Sequence, residues 1–260
     1  ILPPPLSFCP PTDPWQLRES GDCNGSACSS SDSGCDTYSC SCSCSGSGSA
    51  DAGVSVLDRE TMFTLGNGYM ATRGSHEDGL SAGGPATFVA GVFDCDPAPD
   101  EVTELVTMPD WLPVEVLLEG HTILSPFEPS HARDRIHSCH YDRSLDLAQA
   151  CISRTARLVD RAGHVLRIES QRFVSLADRH LACMRYEVIM EAGAGEVQLN
   201  SVIDGDVINR GSGLRHLDVL GVHSPKRHGA SPGIAGLDAC TINSHIPIAV
   251  ALASAAFVES

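Results

Sequence analysis

The sequence predicts an all-β protein built as a large antiparallel β-sandwich. From about residue 84 onward, short segments alternate apolar and polar side chains, which is the pattern of strands with one buried face. Turn sequences rich in Gly, Pro, Asn and Asp separate these segments. No long stretch shows the 3.6-residue apolar period of an amphipathic helix. Strands joined by short turns without helices between them favour two packed antiparallel sheets.

The first 50 residues differ in composition from the rest. Residues 1–21 begin with a proline-rich stretch and predict an extended arm, with residues 15–21 docking as a short strand or turn. Residues 22–50 are rich in Ser and Gly and hold six of the twelve cysteines. They predict a disordered low-complexity insert. A disulfide-stapled loop and a soft-metal thiolate cluster stay open as alternatives, although the alternating spacing of Cys40, Cys42 and Cys44 does not match structural zinc sites.

Residues 51–260 form the predicted sandwich domain. Gly66-Asn67-Gly68 predicts a tight turn between its first two strands. Further strands are expected over residues 87–93, 114–119, 152–158, 165–174, 182–190 and 197–203. The chain stops within an apolar run, residues 246–258, so we expect the sandwich to be truncated at its C-terminus. That run is shorter than the roughly 20 residues of a membrane span.

The net charge of −16 argues against nucleic acid as a partner, because phosphates require a basic surface. We predict no membrane partner either. The sequence contains no P-loop, no dinucleotide fingerprint and no nucleophile elbow. The usual nucleotide-binding and serine-hydrolase classes therefore have no support.

Six collinear segments between residues 51 and 217, together with residues 13–21 ahead of them, resemble one known family. The most informative is residues 60–74, ETMFTLGNGYMATRG, and residues 13–21, DPWQLRESG, resemble the usual start of the same domain. Residues 104–112, ELVTMPDWL, resemble its "vnlPnW" element. Residues 88–94, 141–147, 167–175 and 203–209 continue in the same order. Together they resemble the N-terminal domain of glycoside hydrolase family 65, which includes maltose, trehalose and kojibiose phosphorylases and acid trehalase-type hydrolases.

The resemblance implies a galactose mutarotase-like super-sandwich that carries no catalytic residue. In the family, the general acid is a glutamate on an (α/α)6 barrel that follows the sandwich, so the expected partner is that barrel. The reaction implied is inverting cleavage of an α-linked glucose disaccharide, with inorganic phosphate as co-substrate in a phosphorylase and no other cofactor. A homodimer is a further expectation, and a phosphorylase favours a cytoplasmic location.

Four residues have the chemistry of sugar recognition, which uses flat rings and planar polar groups. These substrate-binding candidates are Asn67, Tyr69, Arg73 and Trp111. For Trp111 the structural alternative is burial in the core. For Asn67 and Arg73 it is turn stabilisation, with an ion pair from Arg73 to Glu60 or Glu77.

No metal site is predicted. The close acidic pairs Glu77-Asp78, Asp94/Asp96 and Asp204/Asp206 are expected to be solvated loop charges. Calcium at Asp204 and Asp206 would have too few ligands. The eleven histidines fit no common metal-binding spacing.

The leading interpretation is a non-catalytic domain that shapes or braces the active site of a phosphorylase or hydrolase. Two alternatives stay open: a stand-alone carbohydrate-binding module and a non-functional fragment.

Overall fold

A computed structural model of the chain describes residues 16–24, 56–79, 84, 86–95, 103–127, 135–223 and 233–257. Residues 1–15 and 25–55 are outside the described residues. The predicted arm is therefore described only from residue 16, and the predicted insert only at residues 22–24.

The regular secondary structure of the described residues is almost entirely β-strand, so the all-β prediction is confirmed. One short helix, α1 (Val56–Met62), lies between the first two strands and was not predicted. The strands are β1 (Gln16–Asn24), β2 (Leu65–Gly66), β3 (Met70–Thr72), β4 (Thr87–Val89), β5 (Phe93–Cys95), β6 (Thr103–Leu105), β7 (Val114–Leu118), β8 (His121–Leu124), β9 (Ile136–Asp146), β10 (Cys151–Asp160), β11 (Val165–Val174), β12 (Ala182–Ala192), β13 (Val197–Ser201), β14 (Leu217–His223), β15 (Gly233–Thr241) and β16 (Pro247–Ser254).

The largest sheet has five antiparallel strands in the order β1-β9-β10-β11-β12. Strand β10 shows why the alternation in the sequence predicts a strand. Ile152, Ala156 and Leu158 are buried on one face, while Thr155 and Arg157 are exposed on the other. Strand β1 pairs with β9 along its whole length, from Gln16 opposite Asp146 to Asn24 opposite Ser138. The N-terminal segment is thus a strand of the main sheet.

A second sheet, in the order β13-β7-β8, packs against the main sheet and forms the sandwich. Val116 and Leu124 in the second sheet belong to one buried cluster with Leu158, Leu166 and Ile168 in the main sheet. Burial of each of these side chains stabilises the fold by roughly 1.5–3 kcal/mol. Strand β13 follows β12 along the chain but pairs with β7, so the turn at residues 193–196 carries the chain from one sheet to the other.

Three smaller sheets complete the fold: β2-β3-β4, β5-β6 and β14-β15-β16. Phe63 and Leu65 pack on Leu145 and Ile152 of the main sheet, which places the first small sheet on the buried face of the large one. The strand predicted over residues 87–93 is divided into β4 and β5, because the chain turns at Gly91, where φ is +85°.

Candidate functional site

The turn between β2 and β3 has the backbone conformation that its glycines predict. Gly68 has a φ of +85°, which is costly for residues with a Cβ atom. The Asn67 side chain accepts hydrogen bonds from the backbone N–H groups of Tyr69 (3.0 Å) and Met70 (2.9 Å). Its Nδ2 donates to the backbone oxygens of Ser175 (2.7 Å) and Arg179 (3.1 Å). Asn67 thus joins this turn to the loop between β11 and β12.

Tyr69 is half-buried beside two side chains of that same loop, Arg179 and His180. The Arg179 guanidinium lies 5.3 Å from the centre of the Tyr69 ring, within cation–π range. The His180 ring meets the Tyr69 ring edge-on, with 4.5 Å between ring centres. Arg179 and His180 were not predicted as site residues, because their proximity to Tyr69 depends on contacts about 110 residues apart in sequence.

Arg73 follows β3 and forms an ion pair with a buried carboxylate. Its Nε lies 3.5 Å from Oε2 of Glu60, which is fully buried at the end of α1, while the Arg73 side chain is 21% exposed. The next residue, Gly74, packs so closely that an added Cβ would lie 2.3 Å from Cβ of Phe63. Glycine is therefore required here by close backbone approach.

Trp111 is buried and donates a hydrogen bond from Nε1 to Oγ1 of Thr72 at 3.1 Å. The Thr72 and Thr87 hydroxyl oxygens are 2.5 Å apart, which links β3 to β4. Since Thr72 immediately precedes Arg73, all four candidates lie along or beside β3. The two at the turn, Asn67 and Tyr69, are separated from Trp111 by the length of that strand.

Three arginines on adjacent strands of the main sheet point into the interior. This buried arginine cluster consists of Arg143 on β9, Arg154 on β10 and Arg172 on β11, all at most 3% exposed. Arg143 donates to the backbone oxygen of Gly74 and lies over the Phe63 ring at 4.1 Å. Arg172 donates to the backbone oxygens of Ser75 (2.8 Å) and Arg73 (3.4 Å).

Two carboxylates compensate part of this charge. Arg154 binds Asp78 through both terminal nitrogens, one of them at 2.9 Å. Arg172 Nη1 donates to Oε1 of Glu77 at 2.8 Å, and Tyr186 donates its hydroxyl to Asp78 at 2.8 Å. Glu77 and Asp78 are 2% and 1% exposed. The expectation that this pair is solvated is therefore wrong. The arginines that neutralise the two carboxylates come from strands that are distant in sequence, so the local sequence does not show them.

The cluster shifts the protonation of its neighbours. Burial, reinforced by the charges of Arg143 and Arg154, lowers the pKa of His76 well below its ordinary value. Its Nδ1 lies 3.1 Å from Nη1 of Arg154, where a neutral imidazole can accept a hydrogen bond. Burial and the nearby Asp78 carboxylate raise the pKa of Tyr186 well above its ordinary value. The tyrosine therefore acts as a hydrogen-bond donor.

Asp110, one residue before Trp111, is also buried. Burial, opposed by the Leu112 N–H and assisted by the charge of Asp204, raises its pKa to about 7. Asp110 and Asp204 also exchange two backbone hydrogen bonds, of 2.7 and 2.8 Å. A carboxyl group with this pKa changes charge near neutral pH.

A second buried charged group lies around β5, β6 and β14. His216 places Nδ1 3.1 Å from Oδ2 of Asp94 and Nε2 3.0 Å from Oε2 of Glu104. Burial acts to raise the pKa of Asp94, but hydrogen bonds from His216 and Ser244 lower it overall. Asp94 is 1% exposed, so the expectation of a solvated loop charge is wrong for it too.

Within the part of the chain that the structure describes, no three His, Cys, Asp or Glu side chains are grouped to hold a metal ion. Asp204, one of the calcium candidates, accepts a hydrogen bond from the Asp206 N–H (2.8 Å), and Asp206 pairs with Arg215. Across the same described residues, no helix is long and apolar enough to cross a bilayer.

The architecture defines this chain as an antiparallel β-sandwich domain with a glycine-containing turn held against its main sheet. The sequence model of "Glycosyl hydrolase family 65, N-terminal domain" matches residues 55–260. The chain belongs to this family, as the six collinear segments predicted.

Its relatives include several sugar phosphorylases. The chain is 31% identical to kojibiose phosphorylase of Thermoanaerobacter brockii over 194 residues, which cover 73% of this chain and 23% of the relative. It is 32% identical to kojibiose phosphorylase of Caldanaerobacter subterraneus subsp. tengcongensis over 165 residues, covering 62% and 20%. For maltose phosphorylase of Bacillus subtilis, the identity is 26% over 165 residues, covering 59% and 20%. The chain thus spans about a fifth of the length of these curated relatives.

Proposed function

We propose that this chain is the non-catalytic N-terminal domain of an inverting phosphorylase or hydrolase that acts on α-glucosidic disaccharides. Its role is to brace an active site built by an (α/α)6 barrel outside this sequence. The observation that carries the proposal is the match of residues 55–260 to the family's N-terminal domain. Kojibiose and maltose phosphorylases among the relatives favour a phosphorylase, for which inorganic phosphate is the co-substrate.

The buried arginine cluster supports the bracing role. Residues 73, 74 and 75 offer three consecutive backbone oxygens, and each accepts a hydrogen bond from Arg143 or Arg172. Hydrogen bonds to charged donors are stronger than neutral ones, at about 1.5–3 kcal/mol each. The segment after β3 is therefore fixed to the main sheet without belonging to it. Such a fixed segment can hold a neighbouring domain in one position.

Of the four candidates, Arg73 is the best suited to act at the barrel. Its side chain is 21% exposed, and its Nε lies 3.5 Å from Oε2 of Glu60, which is a long ion pair. The polar groups of Asn67 are already used in the turn, and Trp111 is buried. Tyr69 is half-buried beside Arg179, so it would contribute from the edge of the same face. A homodimer and a cytoplasmic location remain part of the proposal for the whole enzyme.

A turnover assay tests the non-catalytic role. The chain is incubated with kojibiose, maltose or trehalose, with and without inorganic phosphate, and glucose and glucose 1-phosphate are measured. The full-length kojibiose phosphorylase of Thermoanaerobacter brockii serves as the positive control. We expect no release above the blank. Release that a point change in this chain abolishes while the chain stays folded would overturn the proposal.

The bracing role itself is tested in the complete enzyme that carries this domain. Arg73→Ala should lower kcat by roughly tenfold, because an interaction of a charged group worth about 1.4 kcal/mol corresponds to that factor. The free energy of unfolding should also fall, by about 1–3 kcal/mol, because the fully buried Glu60 carboxylate loses this ion pair. Turnover is therefore compared at a temperature where the variant is fully folded. Arg157→Ala, on the outer face of β10, is the matched control. Normal turnover of the Arg73 variant would leave that residue no role at the barrel.

A further inference from the structure

The pairing of β1 with β9 places two cysteines at opposing positions of the backbone ladder. In the antiparallel register of these strands, Cys23 stands directly opposite Cys139. Within the paired strands that the structure describes, no other two cysteines oppose each other. Cys151 and Cys183, for example, both stand opposite Phe173.

Opposing residues in antiparallel strands have Cα atoms about 4.5 or 5.5 Å apart, depending on the hydrogen-bonding position. Disulfides span Cα separations of about 4.4–6.8 Å, so both values suit a bond. Cys139 is buried in the main core cluster, at 4% exposure. A disulfide from this position would therefore be shielded from reducing agents once it formed.

We propose that Cys23 and Cys139 form a disulfide that fastens the N-terminal strand to the main sheet. Strand β1 is at the edge of the five-stranded sheet and has β9 as its neighbour there. An edge strand can separate locally from its single neighbour at lower cost than an internal strand. Oxidation closes a loop of about 115 residues and prevents this local opening. Closing a long loop lowers the entropy of the unfolded chain more than closing a short one, so the folded state is stabilised.

The chemistry is thiol–disulfide exchange with a small-molecule disulfide such as glutathione disulfide. The thiolate of one cysteine attacks a sulfur of the reagent, forms a mixed disulfide and releases one glutathione thiol. The second cysteine thiolate then attacks the protein-bound sulfur and releases the second glutathione. Two protein thiols are oxidised to one disulfide, and one glutathione disulfide is reduced to two thiols.

Peptide mapping under non-reducing conditions tests the pairing in the 260-residue chain. Cleavage before aspartate gives a fragment of residues 134–141, whose only cysteine is Cys139, and a fragment of residues 22–31, which holds Cys23 and Cys28. After incubation with glutathione disulfide, we expect these two fragments to be linked. Dithiothreitol should separate them.

Cys28→Ser is the matched control, because Cys28 lies in the same fragment as Cys23. We expect the link to persist in Cys28→Ser and to vanish in Cys23→Ser. Oxidation should also raise the thermal midpoint by several degrees in the wild type and Cys28→Ser but not in Cys23→Ser. An unlinked Cys139 after oxidation, or a link that survives in Cys23→Ser, would overturn the proposal.

Discussion

Replacing Arg154 by Met should destabilise the domain far more than replacing Arg157 by Met. The two arginines lie three positions apart on β10 but on opposite faces of the sheet. Arg154 is 3% exposed and binds Asp78 through two nitrogens. Arg157 pairs with Glu191 at 2.8 Å, where its side chain is 53% exposed. The comparison keeps strand, residue type and substitution constant and changes only the burial of the ion pair.

The expected costs follow from what each change leaves behind. Without Arg154, the buried Asp78 carboxylate keeps the Tyr186 hydroxyl at 2.8 Å but loses its bidentate cationic partner. Removing one partner of a buried ion pair costs about 3–5 kcal/mol, because the remaining charge is uncompensated. Loss of the exposed Arg157 pair costs about 0–1 kcal/mol.

Urea denaturation of both variants and the wild type measures these costs, with the midpoint and the slope fitted separately. Native proteins have a free energy of unfolding of about 5–15 kcal/mol. After the loss expected for Arg154→Met, the variant should either still show an unfolding transition in urea or already be partly unfolded in water. Asp78→Asn, which removes the carboxylate charge instead, should also be strongly destabilising. Losses below about 1 kcal/mol for both Arg154→Met and Asp78→Asn would refute the idea that this ion pair holds residues 73–78 in place.

A turn glycine and two buried aspartates give three further expectations. Gly68→Val should lower the free energy of unfolding by about 1–3 kcal/mol, and Gly68→Asn should lower it less, because asparagine tolerates positive φ better. Equal losses of unfolding free energy in urea denaturation would contradict this. Asp110 has a folded pKa of about 7, above its ordinary value, so its contribution to stability is present below about pH 4 and is lost as the pH rises to about 7. Asp110→Asn should remove that part of the pH dependence, and unchanged dependence would be inconsistent with a buried Asp110. The pKa of Asp94 is lowered, so its contribution is present above about pH 4 and lost as the pH falls further; Asp94→Asn should flatten this acid limb, and parallel wild-type and variant curves would argue against the bonds from His216 and Ser244.

The strands were predictable where one face is buried and the other is exposed to solvent. In β7, Val114, Val116 and Leu118 are buried, while Glu115 and Leu117 are partly exposed. The buried positions recur with a period of two and are all apolar, which is the pattern that predicts a strand. The positive φ of Gly68 was predictable for a similar reason, because the glycine and asparagine of a tight turn are local signals.

The pairing of strands was not predictable in the same way. Val197 begins a strand two residues after a glycine turn, which suggests a hairpin with β12, yet this strand pairs with β7. Nothing within a short window of sequence encodes which sheet a strand joins, because the choice depends on long-range packing.

The buried charges escaped prediction for a related reason. Glu77 and Asp78 are adjacent acids beside a glycine, a pattern typical of a solvated turn. Their burial requires arginines from β10 and β11, about 75–95 residues away in the chain. The alternation of β10 does place Arg154 on the same face as Ile152 and Ala156, so an arginine at a core-facing position is the signal that could have revealed the cluster.

We propose that this domain braces an active site and does not bind sugar by itself. Isothermal titration calorimetry of the chain with kojibiose, maltose and trehalose tests this role, with Tyr69→Ala as the comparison variant. We expect no saturable heat for any of the three disaccharides. Saturable binding by the wild-type chain that Tyr69→Ala abolishes would contradict it and show a carbohydrate-binding module.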